Sequence, residues 1–385
     1  MIYLDNAATS FPKPQCTAEA VYDFLLHTGA NPGRSAHRMS VDAARVVYET
    51  RETVNTFFGG PDPLRVVFTM NATYGINIAL KGLLKPGDRV VTTGMEHNAV
   101  MRPLRSMESE GVTVDVVICD TNGVLDPSDV RKALEDEAAL VVMSAASNVT
   151  GSIMPVREVG GIAYQKGVPL LVDSAQAGGV IPLNMEDDCI DLLAFTGHKS
   201  LYGPPGTGGL IFGNRVDEKS IRPLVEGGTG SRSEDEIQPL FLPDRFEGGT
   251  PNGAGLAGLH ASLTWLTENG TGEILSREQT LAGRLREGLA SVSEVKLYGP
   301  EDAAQRTGVL SFTIDGLEVS EIGERLDEDF GIMTRVGLHC APAAHRTIGT
   351  FPEGTVRVSV GAFTTERDVD SAVDAVRSIA AEHYG

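Results

Sequence analysis

Two kinds of apolar pattern divide the chain. From residue 65 to residue 212, short runs that are apolar throughout fall at 65–69, 89–93, 113–119, 140–144, 169–173, 192–196 and 209–212. Stretches with helical spacing separate them at 73–84, 98–110, 126–136 and 156–166. Strands lacking in–out alternation, followed by helices, predict a mostly parallel sheet of seven strands covered on both faces. Upstream, 1–11 reads as an extended arm, and helices are predicted at 16–27 and 40–58, the second with Ser40 as N-cap and a stop at Gly59-Gly60-Pro61. Beyond Gly249 the pattern shifts to longer helices at 253–267 and 272–291, further segments at 309–314, 319–327 and 355–360, a loop running to Pro352, and a last helix near 368–381. The expected organisation is therefore a large α/β domain over 16–250 and a smaller α+β domain built from 1–15 and 251–385.

Polar residues gather where the predicted strands end. Asn71-Ala72-Thr73 follows the first, Glu96-His97-Asn98 the second, Ser147-Asn148-Val149-Thr150-Gly151 the fourth, Asp173-Ser174-Ala175-Gln176 the fifth and Thr196-Gly197-His198-Lys199 the sixth. A parallel sheet binds ligands outside the carboxyl ends of its strands, so five such groups in register predict a crevice there. Asp173 closes an apolar strand, where an unpaired charge is costly and a cationic ligand group would relieve it. The alternative is that Asp173 caps the next helix.

The turn at Lys199 admits two readings. Gly203 to Gly208 has the G-x-x-x-x-G spacing of a phosphate-binding loop, but Gly209 and Leu210 stand where that motif needs Lys and Ser or Thr. Without the amine and the hydroxyl, a nucleotide site is not expected. The glycines instead let the backbone pass close to the crevice. The remaining reading makes Lys199 the reactive group, an amine that condenses with a carbonyl cofactor.

Composition narrows the function. The chain has 385 residues, 41% hydrophobic and 22% charged, with a net charge of −20. Such an acidic balance argues against nucleic acid and against anionic membranes. No run reaches the eighteen apolar residues of a membrane span, and the start, Met1-Ile2-Tyr3-Leu4-Asp5, lacks a basic then apolar leader, so a cytoplasmic protein is expected. Cys16, Cys119, Cys189 and Cys340 are widely spaced, which disfavours a disulfide framework and a metal site. Three of them read as small buried hydrophobes. Cys340 differs, lying in a loop between Gly337 and Pro342 beside His339 and near Arg335, whose cationic or proton-accepting side chains would favour the nucleophilic thiolate. In Val356-Arg357-Val358-Ser359-Val360, alternation puts Arg357 opposite the valines, where it suits a carboxylate clamp. Arg335 and Arg34 are weaker candidates for the same role.

Taken together, Tyr3-Leu4-Asp5-Asn6-Ala7-Ala8-Thr9, Glu96-His97-Asn98-Ala99, Ser147 to Gly151, Val172 to Gln176, Gly197-His198-Lys199, Glu247 to Asn252 and Arg335 to Ala341 resemble the class V aminotransferase-fold enzymes. The resemblance is to the cysteine desulfurases of the NifS/SufS kind, and it covers nearly the whole chain. It implies the fold of type I pyridoxal-phosphate-dependent transferases, with Lys199 as covalent anchor and general base and Asp173 on the pyridine nitrogen. It further implies His97 over the ring, Asn148 and Gln176 near the ring oxygen, and Ala72, Thr73, Thr196 and His198 around the phosphate. Thr250 would reach a neighbouring subunit's phosphate, which implies a homodimer. Cys340 would take sulfur from L-cysteine as a persulfide, leaving alanine, and pass it to an acceptor protein. Gly249 and Thr196 depart from the usual residues, and Thr364-Thr365 stands where Asn-Thr is common. The rivals are a selenocysteine lyase, a class V aminotransferase or epimerase that moves no sulfur, and a non-catalytic sulfur carrier.

Overall fold

The structure, a computed structural model, describes residues 1–33, 35–232 and 234–384. The chain opens with a short strand β1 (Ile2–Tyr3), helix α1 (Gln15–Asp23) and helix α2 (Arg38–Phe57). Strands and helices then alternate: β2 (Val66–Thr69), α3 (Ala72–Leu83), β3 (Arg89–Thr93), α4 (Asn98–Glu108), β4 (Thr113–Val117), α5 (Pro127–Ala133), β5 (Leu140–Ser144), α6 (Val156–Lys166) and β6 (Leu170–Asp173). Two strands without a helix between them follow, β7 (Leu192–Thr196) and β8 (Gly208–Phe212). After a long irregular segment come α7 (Gly253–Asn269), α8 (Thr271–Ala290), β9 (Val295–Tyr298), β10 (Val309–Ile314), α9 (Val319–Glu328), β11 (Ile332–Met333), β12 (Arg335–Gly337), α10 (Pro342–Thr347), β13 (Thr355–Ser359) and α11 (Glu366–Tyr384).

The seven expected strands form one sheet in the order β2-β8-β7-β6-β5-β3-β4. Only β8 runs antiparallel, to both its neighbours. β5, β6, β7 and β8 are buried along their whole length, as strands covered on both faces must be. One face carries α3 and α4; the other carries α2, α6 and α7 among its covering helices. The parallel strands all end on one edge, so Thr69, Thr93, Ser144, Asp173 and Thr196 are brought together there by topology.

The second sheet, β12-β13-β10-β9, is antiparallel, and α8, α9 and α11 pack on it. Val356 and Val358 enter that core, each worth about 1.5–3 kcal/mol when fully buried. Arg357 and Ser359 face the opposite way, toward the large sheet, and are buried as well. The N-terminal arm runs between the sheets. Ile2 pairs with Ile332, and Asp5 bridges to Ser359.

Several expectations are revised. Helix α2 starts at Arg38, because the His37 ring, not Ser40, caps it by accepting the Ser40 N–H at 3.2 Å. Ser40 instead donates its hydroxyl to the Asn31 carbonyl at 2.8 Å. The loop expected before Pro352 contains β11, β12 and α10, elements of two, three and six residues that are too short to leave a periodic signal. Helix α7 packs against α1 and α2 and contributes Leu256, Leu259, Leu263 and Leu266 to the core of the large sheet.

The glycine-rich loop is a packing device. A side chain at Gly208 would meet the Asn71 backbone at 2.6 Å and the Phe195 carbonyl at 2.7 Å, so glycine lets β8 close on β7 and on the start of α3. At Gly179 (φ +94°) a Cβ would sit 2.0 Å from the Ser200 carbonyl, one residue past Lys199. Gly179→Ala should therefore cost about 1–3 kcal/mol of stability in urea denaturation against the wild type; an unchanged midpoint would contradict this packing.

Candidate active site

A cavity of about 250 Å³ lies at the strand-end edge and is walled by every group singled out there. Ala72 and Thr73 come from the start of α3, His97 from the start of α4, and Asn148 from the segment after β5. Asp173 and Gln176 come from the end of β6, and Thr196, His198 and Lys199 from the end of β7. The second sheet closes the cavity with Arg335, His339, Cys340 and Arg357. Two expected residues are elsewhere. Thr250 is exposed and lines no part of this cavity, and Arg34 lies outside the described residues. Asn71 and Ala175, members of the expected strand-end groups, also line it, and the residues not anticipated as lining are Ala7 and Ala8 of the arm, Ala99, Ser144 and Ala146.

Asp173 is buried and Lys199 partly buried, on the ends of adjacent strands. Burial pushes the Lys199 amine down to about 8; the nearby Asp173 opposes that shift, while Arg357 and Arg335 add to it. Burial likewise raises the Asp173 carboxyl, opposed by the Ala175 N–H, which donates to Oδ1 at 2.9 Å, and by Lys199. Asp173 has no ion-pair partner among the described residues. It is thus at once a turn-former and a buried acceptor awaiting a cation.

His97 caps α4, its Nδ1 accepting the Ala99 N–H at 3.0 Å, so the neutral ring carries its proton on Nε2. Burial, with Lys199 next, pushes it down to about 3, which keeps it neutral. His198 is also held neutral, pushed to about 4 by burial, Lys199 and Lys13. The turn carrying Lys199 is clamped by the arm. The His198 carbonyl accepts from Ser10 N at 3.0 Å, Thr9 Oγ1 at 3.0 Å and Lys13 Nζ at 2.7 Å, and Ser10 Oγ donates to the Lys199 carbonyl at 2.9 Å. Beyond the lysine, Tyr202 packs edge-on to Trp265, 5.5 Å between centroids, and accepts the Ala362 N–H at 2.7 Å.

Arg357 is 2% exposed. Its Nη2 donates to Asp5 at 2.8 Å and its Nη1 to the Asn148 carbonyl at 3.0 Å, while Nε has no partner. Arg335, opposite it in the β12–β13 register, is exposed and has no carboxylate within ion-pair distance among the described residues. Cys340 is exposed at the rim and unpaired. Its loop is held open by positive φ at His339 (48°) and Cys340 (58°), a conformation uncommon for side-chain-bearing residues. Two hydrogen bonds secure it: Asn148 Nδ2 to the His339 carbonyl at 2.7 Å, and Asn98 N to the Cys340 carbonyl at 2.8 Å. His339 is not the cationic neighbour expected for the thiol. That backbone buries its ring, Nε2 lies 3.1 Å from Thr355 Oγ1, and burial pushes the group down to about 2.

The family described as aminotransferase class-V matches residues 2–372. A probable cysteine desulfurase of Methanothermobacter thermautotrophicus is 33% identical over 383 residues, covering 98% of this chain and 94% of the relative. A cysteine desulfurase of Pectobacterium atrosepticum is 31% identical over 98% of this chain and 93% of its own length. Among solved structures, a cysteine desulfurase from Thermococcus onnurineus has a TM-score of 0.93 at 34% identity, covering 99% of this chain and 95% of its own. Another from Escherichia coli has a TM-score of 0.88 at 29% identity, covering 99% and 94%.

Amine-reactive labelling followed by peptide mass spectrometry should show Lys199 reacting faster as pH rises, half-maximal near pH 8 and levelling about one unit above it. Ordinary lysines, half-neutral only near ~10.4, should still be accelerating there. A Lys199 profile that climbs to pH 10 would contradict the burial argument. With the fold, the cavity and these likenesses together, the chain belongs to the class V aminotransferase family.

Proposed function

We propose that this chain is a pyridoxal-phosphate-dependent cysteine desulfurase, converting L-cysteine to L-alanine and keeping the sulfur as a persulfide on Cys340. The observation that carries this reading is an exposed thiol, secured at both neighbouring carbonyls, on the rim of a cavity that buries a lysine and an aspartate. The named relatives supply the substrate.

The cavity fits the cofactor. Asp173, one oxygen of which accepts the Ala175 N–H, presents a buried carboxyl without an ion-pair partner to a ring nitrogen, and the buried Thr196 Oγ1 has no hydrogen-bond partner among the described residues. With that hydroxyl, the free N–H groups opening α3 at Ala72 and Thr73, together with His198, suit a phosphate. Asn148 and Gln176 would lie near the ring oxygen, His97 would cover the ring face, and Lys199 would hold the cofactor through its aldehyde. When bound, pyridoxal phosphate supplies an electron sink beside the substrate's amino group.

The chain's own residues do the rest. Arg335 and the unmade N–H of Arg357 receive the substrate carboxylate. A Lys199 amine pushed down to about 8 is partly neutral at physiological pH, so it can accept and return protons at substrate carbon. Cys340 Sγ, as thiolate, attacks the substrate sulfur: an S–S bond forms, the carbon–sulfur bond breaks, and its electron pair stays with carbon, which takes a proton to become alanine. The exposed rim position suits delivery to an acceptor protein. Thr250, exposed outside its own subunit's cavity, and the exposed apolar Tyr22, Leu25 and Leu26 support a homodimer in which Thr250 reaches the partner's phosphate site. Among the described residues no helix is long and apolar enough to cross a membrane. The four free cysteines favour a reducing, cytoplasmic setting.

Wild type should release alanine from L-cysteine, with sulfide appearing on addition of a reductant, and Cys340→Ala should lose at least about a hundredfold in both. Full activity of that variant with an amino acid and a keto acid would instead indicate an aminotransferase. Turnover of selenocysteine alone would indicate a lyase.

A further inference from the structure

Directly behind Asp173 lies a second carboxyl. Glu96, fully buried, follows β3 and precedes the His97 cap. It accepts from Thr93 Oγ1 at 2.6 Å, from Ser144 Oγ at 2.8 Å, and from Ser144 N at 2.9 Å to one oxygen and 3.1 Å to the other. Ser144 is the register partner of Asp173 and lines the cavity, yet its N–H and its hydroxyl both go to Glu96. One residue of β5 thus separates the two carboxyls. The ionisable groups facing Glu96 are Asp173 and the Cys119 thiol, and among the described residues no cation lies within ion-pair distance.

Three donors on one carboxyl are the pattern of a site built for the charged form. A glutamate whose task was only to tie β3 to β5 would be served as well by a neutral amide, without the cost of a second negative charge beside Asp173. Burial does oppose ionisation, raising Glu96 to about 7, and Asp173 adds to that. A cation arriving at Asp173 would neutralise the repulsion and partly offset the cost of burial.

We propose that Glu96 is a positioning residue for the cofactor: its buried negative charge, acting through Ser144 and Asp173, strengthens the pocket's hold on the protonated ring nitrogen. The inference rests on the pyridoxal-phosphate reading above. Glu96 touches neither ring nor substrate; its negative charge favours a positive charge in the pocket, so the ring nitrogen binds more tightly in its protonated form and keeps its proton to higher pH.

The test compares two ligands on cofactor-free protein, with binding followed by quenching of Trp265 and by absorbance: pyridoxal phosphate, and its analogue with CH in place of the ring nitrogen. Glu96→Gln fits the same donors, since the amide oxygen can accept from Ser144 N while the amide nitrogen donates to the Thr93 hydroxyl. It should weaken pyridoxal phosphate by about tenfold and leave the analogue unchanged. The absorbance pH titration of bound pyridoxal phosphate should shift relative to wild type, and the cofactor-free variant should melt no lower. Thr93→Val, which removes a hydrogen bond but keeps the charge, should not discriminate between the ligands. Equal weakening of both ligands by Glu96→Gln, or weakening of neither, would overturn the proposal while leaving the functional reading intact. Failure of wild type to bind pyridoxal phosphate would overturn both.

Discussion

Lys199 and Asp173 face one cavity from neighbouring strand ends, the aspartate buried and the lysine partly so, and each eases the other's desolvation without forming an ion pair. Much of the molecule follows from that arrangement. A cation and an anion can be kept in an interior only if the backbone around them is already saturated with hydrogen bonds and cannot relax toward solvent. The parallel sheet meets that condition, because its strands direct their amide groups to each other or to buried carboxylates such as Glu96 and Asp191 and present only their ends. Arg357, buried on the facing sheet, repeats the arrangement: Asp5 and a carbonyl satisfy two of its nitrogens, and a third is left over.

The groups that end strands and start helices serve two purposes here. Asn71 and His97 accept the first free amides of α3 and α4 and also form walls of the cavity. Asp173 closes its own turn with one oxygen. Helix capping and ligand recognition both call for small polar side chains at the same edge of the sheet. The site is in this sense a by-product of how a βα unit terminates, refined by a lysine, a cysteine and two arginines.

The large domain was legible because strands buried on both sides leave unbroken apolar runs, and because the strand-end groups stand in register in the sequence. The same regularity made nine of the expected site residues findable before their geometry was known, while Arg335, Cys340 and Arg357 were read from the local pattern of a loop and a strand outside that sheet. What escaped was short or long-range. β12 and α10 hold too few residues to show a period, and an imidazole cap at His37 leaves no familiar signature. The inward turn of the His339 ring follows from a positive φ, which composition does not announce. Asp5, Ser10 and Lys13 act on residues far along the chain, and the isolation of Glu96 from any cation appears only once the sheet is folded.

The N-terminal arm touches both ends of the story of this chain. Asp5 meets Arg357 across 352 positions, and Asn6 and Ala7 bond to Ser359 across 353 and 352. On a ribosome, the first residues to emerge must wait for nearly the last before they acquire these partners. The large sheet can assemble early, since its strands all lie before Gly213. The arginine wall is completed only when β13 arrives. The catalytic cavity is therefore the last part of the protein to exist, and a chain cut short anywhere before Thr355 would carry its lysine without the enclosure that makes it reactive.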